Sequence, residues 1–279
     1  MKVYISVDME GVSGLSDPED MHPGGRGYER GCELMTADAN AAVNAAFEAG
    51  AEEVLVNDSH SSGKNLRADL IDERCALLRG PGRPMAMGEG LDPSFDAALY
   101  VGYHARAGRH GVLNHTWMGH EIHNLYLNGA VTGEIGLMAA YAGTLGVPVA
   151  LVTGDESACA EARETLGDVA TVPVKRAVNR FAAEVTPPHR AAELIRCAAL
   201  QALEDLHERT PYETTPPYTL GIEWTSTAIA RSCAVIPGVR RTDDRTTELT
   251  SDDFTDLVGL LGVMSGLAGS IGCDSGRYG

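Results

Sequence analysis

Met1-Lys2-Val3-Tyr4-Ile5-Ser6-Val7-Asp8-Met9-Glu10 opens the chain. Residues 2–7 are β-branched and aromatic, which reads as a strand, and the run stops at an aspartate. The same pattern recurs downstream. Residues 53–56 (EVLV) run into Asn57-Asp58-Ser59-His60, residues 97–102 (AALYVG) into Tyr103-His104, and residues 147–153 (VPVALVT) into Gly154-Asp155-Glu156. Residues 169–175 make a last strand of this series. Helical stretches alternate with them at 28–49, with Gly50 as a C-cap, at 133–145 and at 158–166. Residues 124–127 and 130–132 flank Asn128-Gly129, a pair that favours a type I′ hairpin. Short continuous apolar strands separated by helices predict a parallel sheet covered on both faces, a three-layer α/β domain.

Working outward, the boundary falls at residues 184–190, where Pro187-Pro188 interrupts the pattern. The expected organisation is an α/β domain over 1–185 that carries the active site, and a smaller α+β domain over 186–279. The second unit would contain a helix at 189–207, a strand at 218–227, a short strand at Ala234-Val235-Ile236 and a strand-like polar stretch at 240–250. A helix at 252–268, N-capped by Thr250 or Ser251, would follow, and the small polar tail 269–279 would fray.

Composition narrows the function. The chain has 279 residues, 44% hydrophobic and 22% charged, as an ordinary globular protein does. Its 39 acidic residues against 22 basic ones give a net charge of −17, which argues against nucleic acid or an anionic membrane surface as partner. The N-terminus lacks the apolar core of a signal peptide, and no uninterrupted apolar run approaches the ~20 residues of a membrane span. Six scattered cysteines without a CxxC pair read as reduced thiols, so a cytoplasmic location is expected.

Ligands of open parallel sheets bind beyond the carboxyl ends of the strands. The residues there are Asp8 and Glu10 after the first strand, Asp58 and His60 after the second, and His104 after the third. Asp8 and Glu10 are two apart, so extended backbone points both carboxylates to one face, where they repel unless a proton or a cation bridges them. Imidazole and carboxylate without cysteine suit catalytic zinc, with manganese or cobalt as other fits. A lone aspartate after a strand is more often a cap or a turn former, and a lone histidine a satisfied core or surface residue. Several at one edge weaken that plainer account. Five of the nine histidines lie between His104 and His123. His110, His115 and His120 recur every five residues, which matches neither helix nor strand and reads as a glycine-rich loop. His115, in Leu113-Asn114-His115-Thr116, is the acid/base candidate among them. Glu134 starts a helix between Gly133 and Gly136, glycines that allow close backbone approach, as a ligand site would need. Asp155 reads as a cap, while Lys175, Asn179 and Glu223 are open between a site role and a solvated surface. GxSxG, Walker A, GxGxxG after a strand and HExxH are all absent from the sequence.

The motif set Ser6-Val7-Asp8-Met9-Glu10-Gly11-Val12-Ser13-Gly14, Tyr28-Glu29-Arg30-Gly31, Leu55-Val56-Asn57-Asp58-Ser59-His60, Gly102-Tyr103-His104-Ala105-Arg106 and Gly133-Glu134-Ile135-Gly136 resembles the D-aminopeptidase DppA family, the M55 metallopeptidases. The motifs stand in the family's order over nearly the whole chain. The resemblance implies a centre of two zinc ions, with Asp8 bridging and Glu10, His60, His104 and Glu134 completing the ligands, and His115 as the catalytic histidine. It implies removal of N-terminal D-amino acids, notably D-alanine, from short peptides by metal-activated water, in a ring-like homo-oligomer. Residues 117–122 depart from the family's pattern, which touches substrate preference more than the metal site. Another metal-dependent amidohydrolase, acting on small amides or cell-wall peptides, is the alternative on the same scaffold. A non-catalytic solute-binding protein is the alternative from another class.

Overall fold

The computed structural model describes residues 1–275. Strand β1 (Lys2–Val7) sends Val3, Ile5 and Val7 into one core and Tyr4 into another, so a single strand separates two packed layers. β2 (Glu53–Asp58) and β4 (Ala97–Tyr103) flank it in parallel. With β3 (Ala76–Leu78), β7 (Val149–Asp155), β8 (Ala170–Asn179) and β9 (Ala182–Val185), the sheet order is β3-β2-β1-β4-β7-β8-β9. Every neighbouring pair is parallel except the β8–β9 hairpin. Helices α1 (Tyr28–Glu48) and α4 (Pro188–Glu204) cover the face of Val3 and Ile5. Helices α2 (Glu134–Thr144) and α3 (Glu156–Leu166) cover the face of Tyr4. This is the expected three-layer α/β arrangement. Gly50, at φ +89°, ends α1 in the left-handed region as a glycine C-cap does.

A second, antiparallel sheet packs into the Tyr4 core. Its order is β11-β12-β10-β5-β6, from β11 (Arg240–Arg241), β12 (Thr246–Ser251), β10 (Tyr218–Trp224), β5 (Ile122–Leu127) and β6 (Ala130–Thr132). Asn128 and Gly129 both have positive φ, 51° and 82°, as the expected type I′ hairpin requires. The division expected near residue 185 does not coincide with the boundary between sheets. The β5–β6 hairpin, from before that point, forms one edge of the second sheet, and α4, from after it, packs on α1 of the first.

Two local expectations fail. Ala234-Val235-Ile236 is not a strand. α5 (Thr227–Cys233) is capped by the Ser226 hydroxyl, and its closing turn carries on through Ala234, Val235 and Ile236, whose amides donate to Ala230, Ser232 and Cys233. Three apolar residues are too few to outweigh a capped helix. Nor does the chain fray from residue 269. α6 (Phe254–Ser275) continues through it, with Ala268 buried. Residues 276–279 of that expected tail lie outside the described residues. Glycines and serines break α6 into short apolar runs, yet over Phe254–Gly272 it is long and apolar enough to cross a membrane by length and composition alone. Here Phe254, Leu257, Val258, Leu261 and Met264 are committed to the protein core.

Candidate metal centre

The sheet order reverses between β1 and β4: the chain proceeds from β1 towards β2 on one side and from β4 towards β7 on the other. Such a switch point leaves a crevice at the carboxyl ends of the strands. Two glycines close it down to backbone contact. The Gly11 amide donates to the Gly102 carbonyl at 2.8 Å. A Cβ on Gly11 would stand 1.9 Å from the Tyr103 carbonyl oxygen, and one on Gly102, at φ +73°, would stand 2.3 Å from the Asp8 carbonyl oxygen. Only glycine allows this approach, and it sets Asp8 and Glu10 beside His104.

Six side chains meet there. His60 Nδ1 lies 3.3 Å from Asp8 Oδ1 and 3.1 Å from Glu10 Oε2. His104 Nε2 lies 3.4 Å from Asp8 Oδ2 and 3.3 Å from Glu134 Oε1. The His115 ring stacks on His104 at 4.1 Å and 12°, with its Nε2 at 4.0 Å from Glu10 Oε1 and 3.9 Å from Glu134 Oε1. Asp8, Glu10, His60, His104 and Glu134 are buried, while the His115 side chain keeps 18% exposure. Asp8, Glu10, His60, His115 and Glu134 form one wall of a cavity of about 400 Å³ that Met87, Trp117 and Gly262 help to enclose.

Backbone groups set the orientations. His104 Nδ1 is 3.0 Å from the Ala105 carbonyl and His115 Nδ1 is 2.9 Å from the Leu113 carbonyl. Each Nδ1 therefore carries the proton, and each Nε2 faces the carboxylates. Leu113 is itself held, at φ 54°, by its amide donating to the Arg180 carbonyl at 2.8 Å. The Trp117 amide, at φ 62°, donates to Glu134 Oε1 at 2.5 Å.

Charge explains why these groups are stable together. Burial, then the Glu10 carboxylate, pushes Asp8 up to about 7. Burial disfavours imidazolium at His60 and His104, but Glu10 and Asp8 outweigh it at the first, and Glu134 and Asp8 at the second, so both are raised well above the usual range. The same attractions overcome burial at Glu10 and Glu134 and hold their carboxyls low. Burial, and then the charge of His104, lower His115. Protons on two imidazoles thus stand where a cation would.

The donor set fits zinc. Ligand atoms of Asp8, Glu10 and His104 lie within 4.8 Å of one another, as do those of His104, His115 and Glu134. Asp8 Oδ2, His60 Nε2 and His104 Nε2 are buried without a hydrogen bond among the described residues. Buried polar atoms are ordinarily paired, so the unpaired Asp8 Oδ2 and His104 Nε2, which belong to these groups, fit a cation site; His60, which neither group includes, adjoins it through Nδ1.

All five residues expected as ligands, and His115, come together. Asp58 does not join them: its carboxylate accepts from the Asn65 and Leu66 amides at 2.6 and 2.7 Å and so shapes the turn carrying His60. His110, His120 and His123 are exposed. Asp155 caps α3 and also accepts from the Val112 amide at 2.7 Å. Asn179 shapes the β8–β9 turn, and Glu223 pairs with Arg245 on the second sheet. The glycines beside Glu134 serve protein packing rather than a ligand, since a Cβ on Gly133 would meet Glu161 Oε1 at 2.3 Å and one on Gly136 would meet Thr132 Oγ1 at 2.4 Å. Sequence reasoning missed the Trp117 amide, because a backbone donor leaves no residue-type signal.

Comparison with known proteins points the same way. A family model described as D-aminopeptidase, peptidase family M55, matches residues 1–263. The D-aminopeptidase of Bacillus subtilis (strain 168) is 38% identical over 269 residues, 96% of this chain and 98% of that protein. A solved structure, described as the Zn-dependent D-aminopeptidase DppA from Bacillus subtilis, a self-compartmentalizing protease, superposes with a TM-score of 0.94. It is 37% identical, with 96% of this chain and 98% of that chain covered.

Proposed function

The chain belongs to the M55 family of D-aminopeptidases, and from that premise we propose that it is a zinc enzyme that removes N-terminal D-amino acids, D-alanine foremost, from short peptides. Asp8, Glu10, His60, His104 and Glu134 would hold the metal. The resemblance to the family implies two zinc ions at this centre. The observation that carries this reading is the set of orphaned buried atoms on Asp8, His60 and His104 in a shared carboxylate–imidazole cluster. Bound zinc would polarise the scissile carbonyl and lower the pKa of the attacking water towards ~7.

The chain's own groups do the rest. His115 presents Nε2 to the cluster and keeps its other nitrogen on the Leu113 carbonyl. Burial favours its neutral form, which can take a proton from water and pass it to the leaving amine. Glu121 adds a carboxylate to the cavity wall, and a wall rich in carboxylates favours a free α-ammonium, which suits an exopeptidase. The likeness to a self-compartmentalizing protease supports a ring of identical subunits.

A panel of D- and L-aminoacyl peptides, offered to zinc-loaded and to chelated protein, tests the reading. Release of D-alanine from D-Ala peptides, absent with the L-isomers, lost on chelation and restored by zinc, is the expected result. Hydrolysis of other small amides with no action on D-aminoacyl peptides would transfer the assignment to the amidohydrolase alternative.

A further inference from the structure

Lys175 is the buried cation that the proposed chemistry does not use. It lies midway along β8, paired with Asp155, the last residue of β7, and is 3% exposed. Its Nζ donates to three backbone carbonyls: Glu10 at 2.6 Å, Val12 at 2.9 Å and Leu15 at 2.7 Å. An ammonium has three donors and all three are spent on one loop, the segment that begins at Glu10.

Within itself that loop has only two turn hydrogen bonds, from the Val12 amide to the Met9 carbonyl at 3.1 Å and from the Leu15 amide to the Val12 carbonyl at 3.4 Å. Its donors are held separately. The Gly11 amide is on Gly102, while the Ser13 amide and hydroxyl reach the Asp38 carboxylate at 2.8 and 2.9 Å. Its carbonyls are held by Lys175. Asp8 is anchored independently, its amide donating to the Val101 carbonyl at 2.8 Å as the sheet continues. Glu10 stands beyond the sheet, so the position of its backbone depends on the loop, while its carboxylate also meets His60 Nδ1 at 3.1 Å.

Resting on the zinc reading of the cluster, we propose that Lys175 is a positioning residue: by gathering the carbonyls of Glu10, Val12 and Leu15, it holds the Glu10 carboxylate at the metal centre. Burial pulls the Lys175 ammonium down to about 8, while Asp155, Asp38, Glu10 and Asp20 favour its charged form. Lys175 does not touch substrate, since its donors are taken by the loop. Groups that orient metal ligands commonly contribute 10–100-fold in metal affinity, which is the size of effect expected here.

The test is a double-mutant cycle on zinc affinity, read by competition with a chromophoric chelator, with thermal melts of the metal-free proteins beside it. Lys175→Met keeps the length and removes the donors. Glu10→Ala removes the carboxylate outright. Lys175→Met should weaken zinc binding by about 10–100-fold. In the Glu10→Ala background it should weaken it no further, because there is no carboxylate left to place. A residue that only stabilises the fold would lower the melting temperature and leave zinc affinity unchanged, or add its loss to that of Glu10→Ala. Either outcome overturns the proposal. If Lys175→Met does not fold, Lys175→Arg, which keeps the charge but replaces three compact donors by a planar fork, goes through the same cycle with the same criteria. Wild-type protein that binds no zinc overturns both this proposal and the reading it rests on, whereas wild-type binding with no change in the variants overturns the positioning role alone.

Discussion

His115 differs from the other residues of the cluster in ways that a single substitution reads. It keeps 18% side-chain exposure where the other five are buried. Its ring is held by the Leu113 carbonyl and by stacking on His104, and neither contact needs a metal. His115→Ala should therefore keep the fold and most of the zinc while kcat falls by about 10²–10⁴-fold. Burial lowers its pKa, so the acid limb of kcat/KM should lie below the ordinary imidazole value of ~6.5 and vanish in the variant. Zinc content measured together with turnover decides the role. Zinc lost in step with activity would make His115 a ligand, as its grouping with His104 and Glu134 permits. At this scale the sequence was legible wherever residue type carries the chemistry. Asp8, Glu10, His60 and His104 follow strands, and their chemistry is visible in their identity. Lys175 was not legible, because one lysine at a strand end looks the same whether it meets solvent or three carbonyls. Glu134 and His115 took their places in the expected site from family resemblance as much as from spacing.

Among the elements, the meeting of β1 and β4 does the most to make the centre, and it depends on Gly11 and Gly102. Gly102→Ala puts a Cβ 2.3 Å from the Asp8 carbonyl in a residue at φ +73°. Left-handed strain and backbone collision together should cost about 1–3 kcal/mol or more and push Asp8 away from His104. Gly50→Ala is the matched control. Gly50 is also left-handed, at φ +89°, but a Cβ there would meet nothing within 4 Å, and it sits at the end of α1. The substitution should cost about 1 kcal/mol and leave zinc binding as it was. Thermal melts and bound zinc, measured on both variants, separate strain at the centre from strain alone. Equal zinc retention in the two would deny the strand crossing any part in building the site. Strands ending in polar residues, and the Asn128-Gly129 hairpin, were legible because their signals are local. The pairing of β5 with β10 was not, since strands nearly a hundred residues apart carry no mutual mark in one sequence. The same lack of long-range signal placed the domain boundary at residue 185, although the second sheet draws on both sides of it.

For the whole molecule, charge and assembly oppose each other. Each chain carries −17, and a closed ring of identical subunits multiplies that charge within one particle. Contacts between subunits must then overcome repulsion that depends on ionic strength. The Debye length is about 10 Å at 0.1 M salt and about 30 Å at 0.01 M, so dilute buffer lets the charges of neighbouring subunits act across the full depth of a contact. The ring proposed from the likeness to a self-compartmentalizing protease should accordingly be held at physiological salt and loosened as salt is removed. Light scattering at micromolar concentration, stepped from about 0.3 M down to about 0.01 M salt, measures this directly. A mass several times 29.5 kDa at the upper end, falling or broadening towards the lower, is the expected course. A mass near 29.5 kDa at every salt concentration would exclude the ring, and a large mass indifferent to salt would show that buried apolar contact outweighs the repulsion throughout.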